Sequence, residues 1–192
     1  FYGGDGDDTL TGGAAADVLN GGAGNDIFGN IRLGDIVAAG AGLDTVNFYL
    51  DAATDALTIN LLTGEGAGGA WTGVDIATGS LGSGNDTVVA GMQLTDLHAG
   101  TGTDSLTLDY SGALADGRTA TRIDFSSLDS SYFEYVYLSD GSFALFRING
   151  FERYNITGTV GNDYIDGSEA TGGNTFYGGD GDDTLTGGAA AD

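Results

Sequence analysis

Aspartates recur every nine residues at the start of the chain: Asp8, Asp17, Asp26, Asp35 and Asp44. Glycine precedes all of them within five residues, in Gly-rich runs for all but Asp35, and an apolar residue stands two places after each: Leu10, Leu19, Phe28, Val37 and Val46. Backbone carbonyls from glycine turns together with carboxylates make an all-oxygen donor set, which suits a hard cation such as Ca²⁺. The chain carries 28 acidic residues against five basic ones, a formal net charge of -23. That balance excludes nucleic-acid binding, because a phosphate backbone would be repelled. It also excludes docking on an anionic membrane surface. No apolar run is long enough to cross a bilayer. With no Cys there is neither a disulfide nor a thiolate metal site, and a lone His98 makes a zinc site improbable. A hydrophobic fraction of 41% is too high for an acidic disordered tail. Something must neutralise the acid.

The elements that position these carboxylates follow from the nine-residue period. Residues 3–11, 12–20 and 21–29 read GGDGDDTLT, GGAAADVLN and GGAGNDIFG, and the register continues degenerately through NIRLGDIVA and AGAGLDTVN to residue 47. One apolar place per nine residues, after a Gly-rich hexamer, predicts a three-residue strand and a tight turn, for which glycine readily takes the positive φ required. Two such units make one coil, so residues 18 apart stack on neighbouring strands about 4.8 Å apart. Eighth-place residues then fill a narrow core, and sixth-place Asp residues form columns along the turns. Two carboxylates at that spacing repel by about 0.9 kcal/mol even in water, and by more where water is excluded. The columns need cations between their members.

A second block, LGSGNDTVV AGMQLTDLH AGTGTDSLT, spans 81–107, and a third begins at GTVGNDYID and runs from 158 to 192. Residues 176–192 repeat residues 1–17 without a difference. The chain therefore reads as one repeat of 175 residues and the start of the next. In this reading 1–47, 81–107 and 158–192 are nonapeptide blocks, and 48–80 and 108–157 are spacers. The spacers carry strand signals at Leu57–Leu61 and Val74–Ile76. Near 132–148, YFEYVYL and FALFRI flank an Asp-Gly turn and predict a β-hairpin. Its aromatic rings, like Trp71, are expected to cover the solenoid core rather than form a binding face, and His98 to lie at the surface.

These units resemble the RTX (repeats-in-toxin) nonapeptide GGxGxDxUx, and the spacer passages resemble those between RTX blocks in large secreted bacterial proteins. The resemblance implies an all-β fold: a parallel β-roll or β-helix solenoid of Ca²⁺-binding coils, with the spacers as wider coils. It also implies which atoms hold the ions. A first loop gives the carbonyls of its second and fourth places and its sixth-place carboxylate, and the loop 18 residues on gives the carbonyls of its first and third places and its own Asp. Carried over, Gly4, Gly6 and Asp8 face Gly21, Ala23 and Asp26. Gly13, Ala15 and Asp17 face Asn30, Arg32 and Asp35. Gly22, Gly24 and Asp26 face Ala39, Ala41 and Asp44. In the second block Gly82, Gly84 and Asp86 face Ala99, Thr101 and Asp104. In the third, Thr159, Gly161 and Asp163 face Gly178, Asp180 and Asp183 at a spacing lengthened by Gly167-Ser168, while Ala170, Gly172 and Asn174 face Gly187, Ala189 and Asp192. Ala15 and Asn174 depart from the motif, and the Arg32 guanidinium is placed to pair with Asp35 in place of an ion.

The function implied is structural: a Ca²⁺-stabilised repeat of an extracellular adhesin, surface-layer or filament protein, exported by type I secretion. Its partners would be calcium and further copies of the same repeat, end to end and laterally in fibres or sheets. The alternative is the non-catalytic RTX tail of a secreted protease, lipase or epimerase. Neither H-E-x-x-H nor G-x-S-x-G occurs in the chain, and the outward rows are too irregular for ice or glycan binding.

Overall fold

The computed structural model describes residues 1–66, 68–91, 94–113, 117–126, 128 and 133–192. The first block opens with β1 (Tyr2–Asp5), and each of its five nonapeptides then places its eighth residue in one short strand: β2 (Thr9–Thr11), β3 (Val18–Ala23), β4 (Ile27–Ile31), β5 (Ile36–Ala41) and β6 (Thr45–Tyr49). Odd-numbered strands stack in one sheet and even-numbered strands in the other, all parallel, because each turn carries the chain across to the opposite side. The register is the expected 18 residues: Leu10 pairs with Phe28, Phe28 with Val46, and Leu19 with Val37. These eighth-place side chains are all buried and meet between the sheets. Each such side chain contributes about 1.5–3 kcal/mol on leaving water.

The spacers widen this solenoid without leaving it. In the first, β7 (Thr58–Asn60), β8 (Glu65–Gly66) and β9 (Gly69–Thr72) form an antiparallel meander in the first sheet. Its last strand lies parallel on β5, with Trp71 opposite Val37, and its first strand lies on β11 (Thr87–Ala90). The strand signal at Leu57–Leu61 is realised as β7. The one at Val74–Ile76 is not: Val74 and Asp75 lie in the turn, and the strand that follows, β10 (Ile76–Gly82), starts at Ile76. Next come β12 (Leu94–Gly100) and β13 (Ser105–Asp109), again in alternate sheets; Met92 and Gln93 of this block lie outside the described residues.

A second meander, β14 (Ala120–Phe125), β15 (Glu134–Leu138) and β16 (Phe143–Asn149), lies in the second sheet and contains the expected hairpin as its β15–β16 pair. β17 (Arg153–Thr157), β18 (Tyr164–Asp166), β19 (Thr175–Tyr177) and β20 (Thr184–Thr186) complete the coils. Each sheet holds ten strands, in the orders β1-β3-β5-β9-β8-β7-β11-β13-β17-β19 and β2-β4-β6-β10-β12-β16-β15-β14-β18-β20. No helix occurs among the described residues.

Trp71 is packed edge-on against Phe48 in the core, as expected. The hairpin rings divide, which corrects the expectation that they cover the core. Phe146 joins Tyr110 and Phe125 inside, whereas Phe133, Tyr135 and Phe143 point outward, because alternate residues of a strand face opposite sides. Tyr132 lies outside the described residues. His98 is partly exposed beside Asp96.

The coils approach so closely that glycine is required for more than its turn geometry. At Gly22, with φ of 120°, a β-carbon would collide with the carbonyl oxygen of Gly4 in the coil before. At Gly4, with φ of 116°, a β-carbon would meet open space. Gly22→Ala should therefore destabilise the chain by about 1–3 kcal/mol more than Gly4→Ala, which bears only the positive-φ penalty. Urea unfolding of both variants at one fixed Ca²⁺ concentration measures the difference; equal costs would show that the coils are not held at this spacing.

Candidate metal centre

The sixth-place carboxylates form columns along the two edges of the solenoid, one feeding each sheet. Asp8, Asp26 and Asp44 precede β2, β4 and β6. The N–H of Asp8 donates to Asp26 Oδ1 at 2.8 Å, and the N–H of Asp26 donates to Asp44 Oδ1 at 2.8 Å. On the other edge the N–H of Asp86 donates to Asp104 Oδ1 at 2.6 Å. Each carboxylate thus hangs from the coil before it by one oxygen. The second oxygen is different: among the described residues, Oδ2 of Asp8, Asp26, Asp44, Asp86 and Asp104 is buried without a hydrogen-bond partner. Asp26, Asp44 and Asp104 are wholly buried and Asp86 nearly so. An unpartnered carboxylate oxygen inside a protein is strongly unfavourable unless a proton or a cation meets it.

What surrounds these oxygens is carbonyl. A β-carbon at Gly3 would lie 2.5 Å from Asp8 Oδ2 and 2.7 Å from the Gly21 carbonyl oxygen, so the two converge on the same spot beside a residue that has no side chain. Gly21 repeats this with Asp26 Oδ2 and the carbonyl of Ala39. The carbonyls of Gly4, Gly6, Gly22 and Gly24 face the following coil, where a β-carbon at Gly22, Gly24, Gly40 or Gly42 would strike them. The same holds for Gly82 and Gly84 beneath Gly100 and Gly102. Ala23 and Ala41 carbonyls accept N–H bonds from Gly6 and Gly24 and keep a lone pair each. Among the described residues no three acidic or histidine side chains gather at one point, so any ion here is held by main-chain oxygen and at most two carboxylates.

Other predicted positions are closed by the protein's own donors. In the 12–38 pair, Asp17 Oδ2 accepts the N–H of Gly13 at 2.5 Å, and Asp35 Oδ2 accepts the N–H of Arg32 at 2.7 Å. Asn30, at a non-glycine φ of 56°, turns its side-chain amide onto the carbonyls of Gly12 and Gly13 at 2.7 and 3.3 Å. Its backbone slips the register, and Ile31 enters the core. The Arg32 guanidinium does not pair with Asp35 as expected. It donates to Asn30 Oδ1 at 3.1 Å and lies over the Tyr49 ring, because Asp35 is already buried and bonded. Ala15 lies exposed in this turn.

In the third block the coil spacing is 20 residues, set by the extra Gly167-Ser168. The N–H of Asp163 donates to Asp183 Oδ1 at 2.9 Å, and Asp163 Oδ2 accepts from the N–H of Thr159 at 2.7 Å. Gly161, Gly178 and Asp180 lie in the same pair of turns, with the Gly178 carbonyl converging on Asp163 Oδ2 beside Gly158. In the last pair the N–H of Asn174 donates to Asp192 Oδ1 at 2.8 Å, and Asn174 Oδ1 accepts the N–H of Tyr154 at 3.2 Å. The remaining atom of that side chain is therefore an amide nitrogen, a donor where the other columns present an oxygen. Ala170 is buried there, Gly172 bonds the Glu152 carbonyl, and Gly187 and Ala189 lie exposed. In the second block, Ala99 is buried and Thr101 donates its N–H to the Gly82 carbonyl at 3.1 Å.

Two acidic residues absent from the nine-residue pattern join the columns. The N–H of Asp44 donates to Asp75 Oδ2 at 2.9 Å, and the N–H of Asp104 donates to Glu152 Oε2 at 2.6 Å. Their signal in the sequence is an acid two places before a buried residue, Asp75 before Ala77 and Glu152 before Tyr154, the same offset as Asp8 before Leu10.

The model of the RTX calcium-binding nonapeptide repeat, four copies long, matches residues 1–28, 155–171 and 170–192. The chain thus carries RTX-type calcium-binding repeats; Asp8 and Asp26 fall within the first match, and Asp44, Asp86 and Asp104 lie outside the matched residues. No curated protein matches the chain.

Burial raises the pKa of Asp44 above the ordinary carboxylate value; the hydrogen bond from the Asp26 main chain opposes this, and repulsion from Asp26 and Asp75 adds to it. Asp104 is raised likewise by burial, against the Asp86 N–H and with repulsion from Asp86 and Glu152. A carboxylate whose folded pKa lies above its unfolded value binds more protons when folded in the window between the two values. Folded stability therefore falls as pH rises through that window and is recovered on acidification. In metal-free buffer, lowering the pH from neutral into that window should increase the strand signal in circular dichroism. A signal that weakened over that range would contradict the burial of unneutralised carboxylates.

Proposed function

We propose that this chain is a structural, Ca²⁺-stabilised repeat of an extracellular protein, an adhesin, surface-layer or filament component, in which consecutive repeats stack as a continuous rod. The observation that carries the calcium part is the set of buried, unpartnered Oδ2 atoms beside converging carbonyls. An ion between each pair of carboxylates removes both the desolvation penalty and the repulsion, and its binding energy becomes folding energy. The best-supported positions lie between Asp8 and Asp26, between Asp26 and Asp44, and between Asp86 and Asp104. The Asp163–Asp183 pair rests on the motif alone, because Asp163 Oδ2 already accepts the Thr159 N–H and hydroxyl. The Asn30 amide takes the ion's place in the 12–38 pair, and the Asn174 nitrogen disfavours one in the 170–192 pair.

The rod rests on the repeated sequence. β20 holds the same residues as β2, and the two are the last and first strands of the second sheet. Phe176 and Tyr177 of β19 repeat Phe1 and Tyr2 beside β1. A following repeat can therefore continue both ladders in register, and no Pro or Ser/Gly-only linker interrupts the seam. An enzyme's RTX tail would use the same ions but has no need of a long identical repeat. A calcium-poor interior would leave the chain unfolded until export, and a calcium-rich exterior would then fold it.

Circular dichroism in excess chelator and in millimolar Ca²⁺ tests the first part. Strand signal should appear with the ion, and the same signal in chelator would refute it. Small-angle scattering on two consecutive repeats with Ca²⁺ tests the second. A single stiff rod is expected, and two beads moving about a hinge would overturn the seam.

A further inference from the structure

The two nonapeptide arrays that run into spacers end in the same way. After Asp44 the chain returns as Gly73-Val74-Asp75, and after Asp104 as Gly150-Phe151-Glu152. Gly73 has φ of 75° and Gly150 φ of 77°. Each lies over the second-place glycine of the last array loop. A β-carbon there would be 3.3 Å from the Gly40 carbonyl oxygen in one case and 3.3 Å from that of Gly100 in the other. The N–H groups of Asp75 and Ile76 both donate to the Asp44 carbonyl, at 3.0 and 2.9 Å. Those of Glu152 and Arg153 both donate to the Asp104 carbonyl, at 3.1 Å each. Two unrelated spacers have thus arrived at one geometry, glycine–apolar–acid, with the acid's carboxylate bonded to the N–H of the last motif Asp.

The unpartnered oxygens point to what this geometry holds. In the array, the free oxygen of each Asp belongs to the gap above it: Asp8 Oδ2 lies by the Gly21 carbonyl and Asp26 Oδ2 by that of Ala39. Five such oxygens are buried without partners, yet only three gaps lie between nonapeptide loops in these columns: Asp8 to Asp26, Asp26 to Asp44, and Asp86 to Asp104. The two left over are on Asp44 and Asp104, the residues beneath Asp75 and Glu152. Both residues are wholly buried. Beside Asp44 the carbonyl-rich Gly40–Gly42 turn opens onto a cavity of about 710 Å³ that Asp75 and Trp71 also line.

We propose that each of these returns completes a further cation site, one rung beyond the last nonapeptide, with Asp44 and Asp75 as the carboxylates of one and Asp104 and Glu152 as those of the other. The carbonyls of the second- and fourth-place glycines, Gly40 and Gly42 or Gly100 and Gly102, complete the donor set, and the ion is a hard divalent cation, Ca²⁺. In the first array the first place of the last loop is Ala39, where Gly3 and Gly21 stand in the two loops below it. A methyl there forbids the carboxylate position taken by Asp26, so the Asp44–Asp75 site differs in geometry from those between Asp8 and Asp44. In each return the acid's own N–H is spent on the carbonyl below it, so no further carboxylate can hang from it and the column ends. This inference rests on the calcium reading of the nonapeptides and extends it to the spacers, whose closure would then depend on the ion.

Trp71 is the only tryptophan and lines the cavity beside Asp75, so it is a built-in antenna for a lanthanide in that site. Tb³⁺ bound to the full chain should emit on excitation in the indole band, and Asp75→Asn should weaken that emission, leaving only what the Asp26–Asp44 site contributes, while keeping an acceptor for the Asp44 N–H. Glu152→Gln should leave the emission and lower the calorimetric Ca²⁺ stoichiometry by one, as Asp75→Asn also should. Indole-sensitised emission and stoichiometry unchanged in both variants would overturn the proposal. If either variant fails to fold, anomalous diffraction from the Tb³⁺-loaded wild-type chain decides by a peak, or none, between Asp44 and Asp75. Absence of any Ca²⁺ binding by the wild type would instead refute the nonapeptide reading itself.

Discussion

A buried carboxylate with one oxygen bonded and the other bare is the constraint on which the rest of this solenoid depends. The bonded oxygen ties each coil to the one before through a main-chain N–H, so it fixes the register of both sheets as surely as the ladders do. The bare oxygen leaves the same coil unstable until a cation meets it. Strands such as β2 are only three residues long and bury a single side chain, and the self-repulsion of a chain with net charge -23 works against so thin a section of core. On the calcium reading proposed above, fold and ion are one equilibrium, not a scaffold with a ligand added later.

The glycines make that arrangement possible in two separate ways. Positive φ lets the turn close, and the missing β-carbon lets the next coil's carbonyl and the neighbouring carboxylate reach the same point. The spacers solve a topological problem. Each inserts a three-stranded meander into only one sheet, β7–β9 into the first and β14–β16 into the second. Either insertion alone would leave one sheet two strands longer than the other. Together they give ten strands to each, so the third block resumes with its two edges level.

Much of this was legible in residue spacing, and the reasons for the failures are physical. Asp and an apolar residue two places on, recurring at nine, specified the strands, the 18-residue register and the buried column from Asp8 to Asp44. The hairpin was visible because Asp140-Gly141 stands between two apolar-aromatic runs. Asp75 and Glu152 were not found, since they arrive 31 and 48 residues after their partners and no period marks them. The burial of Phe146 and exposure of Phe143 could not be separated by composition, because which face of a hairpin meets the core is decided by the strand it joins, here β12. Arg32 misled by charge alone. A guanidinium near an aspartate suggests an ion pair, but Asp35 was already held by the Arg32 main chain, and the side chain found an aromatic ring instead.

The Asn30 turn shows how narrow the difference is between a rung that needs an ion and one that does not. Its amide donates to two carbonyls of the coil before, and Gly13 and Arg32 bring their N–H groups onto the two carboxylates. Both carboxylates of that pair and the Gly13 carbonyl therefore already face protons of the protein. Asn174 makes half of the same substitution, presenting nitrogen where the column elsewhere presents oxygen. An amide in place of a carboxylate removes a charge and supplies a donor in one step, so it relieves the repulsion without any ion. A solenoid that mixes both kinds of rung can keep local segments closed while the remainder awaits calcium. The first edge, where Asp8, Asp26 and Asp44 all keep a bare oxygen, is then the part of this block that ion binding must assemble, against a neighbouring edge already closed at Asn30.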